Sequence, residues 1–215
     1  MSDRTKKITT LAMLSAMAFV VVALIRIPVV VFLKYEPKDV IITIGGFLFG
    51  PLASVIVAAV TSLVEMVTIS DTGLYGLVMN IIGSVSFGAI ASLIYQKKRT
   101  VLGAVLGLLA GIAVMVPIML LWNYIVTPIY MGYPREAVAE MLVPVFLPFN
   151  LLKGGLNATL TMLIYKPIVT ALRKAGLVPQ RESSKGGFNI GVVVVSGIVL
   201  IGLIFVLLIM NGVIG

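Results

Sequence analysis

Apolar runs of roughly 20 residues recur along this chain, and each is long enough to cross the hydrocarbon core of a bilayer. They leave little room for any other design. Of 215 residues, 60% are hydrophobic and 11% charged, and the mean hydropathy is +1.17, far from the values of a soluble globular domain. The expected fold is therefore an all-α integral membrane protein. Helices are expected near 8–28, 39–50, 52–69, 75–95, 101–126, 148–174 and 189–211. The second is short and carries Gly45, Gly46 and Gly50, with Pro51 opening the third, which predicts a tightly packed pair joined by an abrupt turn. Residues 175–188, AGLVPQRESSKGGF, read as a linker. The chain thus divides into a six-helix core over 1–175, a linker over 176–188 and an additional hydrophobic helix over 189–215. The first apolar run follows Arg4, Lys6 and Lys7 but exceeds a signal-peptide core and lacks a small-residue cleavage site, so it reads as a retained helix.

Composition also removes whole classes of chemistry. The chain has no cysteine and no histidine, which excludes thiolate chemistry, disulfides, imidazole catalysis and the usual zinc or haem ligands. Within the expected apolar spans no two carboxylates fall within helical reach of one another, and no histidine or cysteine joins them, so a membrane-embedded enzyme is disfavoured. The net charge of +8 fits membrane orientation and anionic lipid better than nucleic acid. With a cytoplasmic N-terminus, Arg4, Lys6, Lys7, Lys97, Lys98, Arg99, Lys166, Arg173, Lys174, Arg181 and Lys185 fall inside, eleven of the 16 basic residues. The opposite side then holds the loops KYEPKD, SDTG and TPIYMGYPREAVAEMLVP, which carry most of the acids.

Polar groups concentrate at that outer end. In LPFNLLKGGLN, residues 147–157, helical spacing puts Asn150, Lys153, Gly154 and Asn157 on one stripe, behind a proline suited to a first turn. Glu65 lies near the outer end of its helix, Asn80 near the outer start of the next, and Trp122, Asn123 and Tyr124 near the outer end of the fifth. Ionisable groups in a membrane segment cost a few kcal/mol and turn toward partners or a cavity, so the convergence predicts a pocket open to the outside. Plainer roles compete for single residues. Lys153 could snorkel or pair with Glu65, Asn80 and Asn123 could join helices, and Trp122 and Tyr124 could sit in an interfacial belt. Ala12 and Ala16 form a small-xxx-small pair on the first helix, with Ala23 close to the same face, open to close approach by another helix. The sequence has no G-x-x-x-x-G-K-[ST] element, so any ATP hydrolysis falls to another subunit.

The segment KYEPKDVIITIGGFLFGP, followed by SDTG, then PFNLLKG ahead of a helix reaching IYKP, resembles the riboflavin-specific S component of energy-coupling factor (ECF) transporters, over about residues 5–175. The resemblance implies a six-helix substrate-capture subunit of the bacterial cell membrane with an outward-facing pocket. Its partners would be a transmembrane coupling subunit (T component) and two ABC-type ATPases, and it would topple in the membrane to deliver its vitamin. Ala12 and Ala16 match the family's AxxxA contact with the coupling subunit. Asn150 and Lys153 are similar to the flavin-binding pair of its PFNxxK element, Asn123 corresponds to an asparagine on the fifth helix, and the loop near Tyr35 and Glu36 would be a lid. The helix over 189–211 is a departure from the six-helix pattern.

A flavin presents a flat ring face, an edge of alternating carbonyl and N–H groups, and a hydroxylated tail. Asparagine and lysine suit the edge, while Tyr35, Trp122, Tyr124 or Phe149 suit the face. Riboflavin is the expected ligand, and since Lys34, Lys38 or Lys153 could reach a phosphate, FMN stays open beside it; either would be transported rather than held as a cofactor. An S component for another vitamin, such as thiamine or pantothenate, and a stand-alone ion-coupled carrier using Glu65 remain alternatives.

Overall fold

The computed structural model describes residues 2–30, 32–178 and 190–213. Ser2 caps the first helix, α1 (Asp3–Leu24), accepting from the Thr5 amide. The helix stops four residues before its expected end because Pro28 has no N–H to continue the ladder and biases the residue before it toward extended backbone. Beyond α1 lies an element that apolar periodicity does not predict: a two-stranded antiparallel hairpin, β1 (Ile27–Val30) and β2 (Leu33–Tyr35), pairing Ile27 with Tyr35.

The next helix, α2 (Lys38–Phe49), has 12 residues, or about 18 Å, too short to cross a bilayer alone. Lys38 through Phe47 are all buried; α2 is the element around which α1, α3, α4 and α7 pack. Gly50, at φ +96°, makes the expected abrupt turn in a conformation that glycine adopts without steric cost, and Pro51 opens α3 (Pro51–Thr68). Then come α4 (Gly73–Lys97) and α5 (Val101–Met131). These two pack most closely where Gly107 faces α4: a Cβ there would lie 2.5 Å from the Ala91 carbonyl oxygen. α5 runs five residues beyond its expected end, through Pro128 to a left-handed cap at Gly132.

A short α6 (Arg135–Met141) and a π-helical stretch over Leu142–Phe146 lead into α7 (Leu147–Lys174). Pro144 and Pro148, which lack amide donors, account for the break from α-helical bonding. Gly176 to Val178 turn the end of α7, with the Leu177 amide bonded to the Leu172 carbonyl. The rest of the expected linker, including Arg181 and Lys185, lies outside the described residues.

The last helix, α8 (Ile190–Met210), lies against α7. Leu203 faces Gly155, whose added Cβ would sit 3.2 Å from it, and Leu207 is buried with Val29 of the hairpin and Phe146. Most of α8 otherwise faces outward. Among the described residues six helical stretches are long and apolar enough to cross a membrane: α1, α3, α4, α5, the run Arg135–Lys174, and α8. With α2 buried among them, this is an all-α six-helix core plus one further helix.

Candidate ligand-binding site

A cavity of about 260 Å³ opens at one end of the bundle, near the lower limit of small-molecule sites. It lies where α3 ends, α4 begins, α5 finishes and α7 begins, beneath the hairpin. Every one of those helices contributes a polar residue named from the sequence: Glu65, Asn80, Asn123, Asn150 and Lys153 all line it, with Trp122 and Glu36. Phe32, from the hairpin turn, covers the cavity and packs on Phe146 with ring centroids 6.0 Å apart. At the mouth Tyr75 and Tyr130 lie 5.6 Å apart, and Lys34 bonds to Asp71 over 3.3 Å.

The asparagine geometry follows from what each atom can do. Asn150 Nδ2 donates to the Phe146 carbonyl at 2.8 Å, a bond that only the amide nitrogen can make to a carbonyl oxygen. Its Oδ1 and second N–H remain for the cavity. Asn123 is oriented on both sides, donating to the Met119 carbonyl at 2.7 Å and accepting from Thr127 Oγ1 at 3.0 Å. Lys153 Nζ lies 3.6 Å from Asp39 Oδ2, beyond an ordinary N–H···O bond, so its donors are not consumed. One wall thus carries the Asn123 and Asn150 amides and the Lys153 ammonium, while Trp122, Phe149 and the methionines Met79, Met115 and Met119 supply apolar surface.

Another part of the lining, Arg26, Glu36, Glu65 and Asn80, belongs to a charge cluster that continues into the buried Lys38 and Asp39. Arg26 bonds to Glu36 Oε1 at 2.8 Å, to Glu65 Oε1 at 2.9 Å and to the Ile69 carbonyl at 2.9 Å. Lys38, wholly buried, donates to Glu36 Oε2 at 2.9 Å and to Glu65 Oε2. Asn80 donates to Glu65 at 3.1 Å. Asp39 accepts from Ser84 and from Asn157, which in turn accepts from the Tyr35 hydroxyl at 3.0 Å. Arg26, Lys38 and Lys153 balance Glu36, Glu65 and Asp39, the condition under which buried charges persist. Burial pushes the Glu36 carboxyl up, but Lys38 and Lys153 and the bonds from Lys38 and Arg26 outweigh it and hold it below its ordinary 4.5. Burial, then Asp39, raises the Tyr35 hydroxyl far above its ordinary 10.0, so it remains a donor.

Several expectations change. Tyr35 and Asn157 do not line the cavity; they bond to each other below it, because Asn157 sits a full two turns along α7 from Asn150. Tyr124 faces outward under the Arg135 guanidinium, 5.6 Å from its ring, so it does not cover a ligand. Lys38 is locked in ion pairs and cannot reach a phosphate, whereas Lys34 lies at the mouth. Glu65 pairs with Arg26 and Lys38 rather than Lys153, whose partner is Asp39. Ala12 and Ala16 are exposed on α1. Arg26, Asp39 and Phe32 were missed. The signal for the first two was present, since a charge inside or beside an apolar helix needs a buried partner, but Asp39 reads equally as loop.

Comparison with known proteins gives a consistent result. Residues 6–165 match the family "ECF transporter, substrate-specific component". The riboflavin transporter RibU of Staphylococcus aureus (strain TCH60) is 30% identical over 182 residues, covering 80% of this chain and 95% of the relative. The riboflavin transporter FmnP of Bacillus subtilis (strain 168) is 29% identical over 187 residues, 80% of this chain and 98% of the relative. A solved structure of the S component of a bacterial ECF transporter superposes with a TM-score of 0.67 at 30% identity, over 79% of this chain and 99% of that one. The family match ends before α8.

Proposed function

Because the chain belongs to the substrate-specific components of ECF transporters, we propose that it captures riboflavin, with FMN a second ligand, in the cavity beneath the hairpin. The observation that carries this reading is the pairing of one polar wall, Asn123, Asn150 and Lys153, with aromatic and methionine surface. A flavin needs both: hydrogen-bond partners along its carbonyl and N–H edge, and flat apolar contact for its rings. The named relatives, both riboflavin transporters, support it. Lys34 at the mouth would face the ribityl end or a phosphate. Glu65 is already engaged by Arg26, Lys38 and Asn80, which favours capture over ion-coupled transport.

In this reading the N-terminus is cytoplasmic and the cavity opens outward at the bacterial cell membrane. The exposed Ala12 and Ala16 form the face that a coupling subunit approaches, and two ABC-type ATPases supply the energy. The chain performs no covalent step. The test is direct: purify the chain in detergent, record the visible spectrum, and titrate riboflavin while following quenching of its fluorescence. One flavin per chain is expected, with affinity reduced about 10- to 100-fold in Lys153→Ala and in Asn150→Ala, as loss of a hydrogen bond worth about 1.5–3 kcal/mol would give. A colourless protein that fails to quench riboflavin refutes the assignment.

A further inference from the structure

The hairpin over the cavity and the lysine within it are joined by hydrogen bonds that run beneath the cavity wall. Tyr35, on β2, donates its hydroxyl to Asn157 Oδ1 at 3.0 Å. Asn157, wholly buried on α7, donates Nδ2 to Asp39 Oδ2 at 3.2 Å. Asp39, at the start of α2, is held on its other oxygen by Ser84 of α4, and its Oδ2 faces Lys153 Nζ at 3.6 Å. Tyr35, Asn157 and Asp39 all stand outside the cavity lining; Lys153 stands in it.

The chemistry allows this chain of contacts in one sense only. A buried phenol beside a carboxylate remains protonated and must donate, and a carboxylate must accept, so the Asn157 amide has a single orientation that satisfies both. That orientation fixes Asp39 Oδ2. The carboxylate then attracts the Lys153 ammonium without a short bond, leaving its donors directed at the cavity. If the hairpin lifts, Asn157 Oδ1 loses its buried donor, the amide is free to turn, and Asp39 loses one of the two bonds that hold it in front of Lys153.

We propose that Tyr35, Asn157 and Asp39 are positioning residues for Lys153, so that closure of the hairpin sets the lysine to grip the ligand. Lid and lysine then act as one unit, and affinity depends on a hydroxyl that never touches the ligand. The inference rests on the reading of the cavity as a flavin site.

The test is a double-mutant cycle in riboflavin titration, comparing the wild-type chain, Tyr35→Phe, Lys153→Met and the double variant. Tyr35→Phe removes one oxygen and keeps the ring in its apolar setting. In the wild-type background it is expected to weaken affinity about 5- to 10-fold, as loss of one buried hydrogen bond would, and to speed dissociation. In the Lys153→Met background the same change is expected to alter affinity less than about twofold. Equal losses in both backgrounds overturn the proposal, because Tyr35 would then act on the lid alone; so does wild-type affinity in Tyr35→Phe. A second readout needs no ligand: acylation of Lys153 by N-acetoxysuccinimide, followed by peptide mass spectrometry. Several-fold faster labelling in Tyr35→Phe supports the coupling, and an unchanged rate overturns it. A wild-type chain that ignores riboflavin defeats the flavin reading, and the acylation comparison then decides the coupling alone.

Discussion

Neutralising Glu65 tests whether the buried charge cluster behaves as a balanced unit. Its carboxylate is almost wholly buried and accepts from Arg26 at 2.9 Å, from Asn80 at 3.1 Å and from Lys38, whose side chain is 0% exposed. At 2.9 Å an ion pair in an effective dielectric of about 20 is worth roughly 6 kcal/mol before desolvation is charged against it. Removing one partner keeps the desolvation cost and loses the attraction, so breaking a buried pair typically costs about 3–5 kcal/mol. In Glu65→Gln both cations keep Glu36, which places the expected loss at the lower end, about 3 kcal/mol. Lys38→Met strands Glu36 and Glu65 in the opposite sense, and Arg26 still holds both, so its cost is similar. The double variant restores neutrality. Its loss is expected near 3–4 kcal/mol rather than the sum, a coupling of about 2–3 kcal/mol. The measurement is equilibrium unfolding in mixed micelles at fixed lipid-to-detergent ratio. A single variant costing less than about 1 kcal/mol, or a double variant additive within about 0.5 kcal/mol, refutes the argument.

Three further outcomes are expected. Glu36 has its folded pKa below the ordinary 4.5, so its contribution to holding the hairpin is fully present above that value and lost as pH falls through the lowered one. Riboflavin dissociation should be flat from neutral pH down to the ordinary carboxylate range and accelerate only below 4.5; a profile as steep in Glu36→Gln would refute the assignment. Gly107→Val should lower Tm markedly, because the added Cβ would lie 2.5 Å from the Ala91 carbonyl oxygen and backbone cannot yield cheaply. An overpacking cost of about 1–3 kcal/mol or more results, whereas Leu106→Val on the exposed side of the same turn should change little; equal effects would remove the close approach of α4 and α5 as the cause. Ala12→Leu with Ala16→Leu should leave riboflavin binding intact and abolish ATP-driven uptake in vesicles that also hold the coupling subunit and ATPases, and continued co-purification with that subunit would place the contact elsewhere.

Helical periodicity alone put two residues of the cavity wall together. Asn150 and Lys153 share a face of α7 because they are three residues apart on a 3.6-residue turn, and no packing detail alters that. The Gly50–Pro51 turn is equally local, since φ +96° and a proline in the first helical turn are single-residue properties. The length and apolarity of the spans decided the class of fold. Periodicity says nothing, however, of how far down a stripe the cavity reaches, so Asn157 was grouped with Asn150 although it ends beneath the floor, under Tyr35.

Tertiary structure alone decided which charges meet. Lys38 and Glu65 are 27 residues apart, Arg26 and Glu65 are 39 apart, and Asn157 and Asp39 are 118 apart. A sequence shows that each buried charge needs a partner, but the identity of that partner depends on which helix ends the packing of α2 brings together. The short α2 is the ambiguous element: the sequence puts Lys38 in the loop and Asp39 at the boundary of loop and helix, and both are stable in buried positions only because α3, α4, α7 and the hairpin surround them with the opposite charge and with donors.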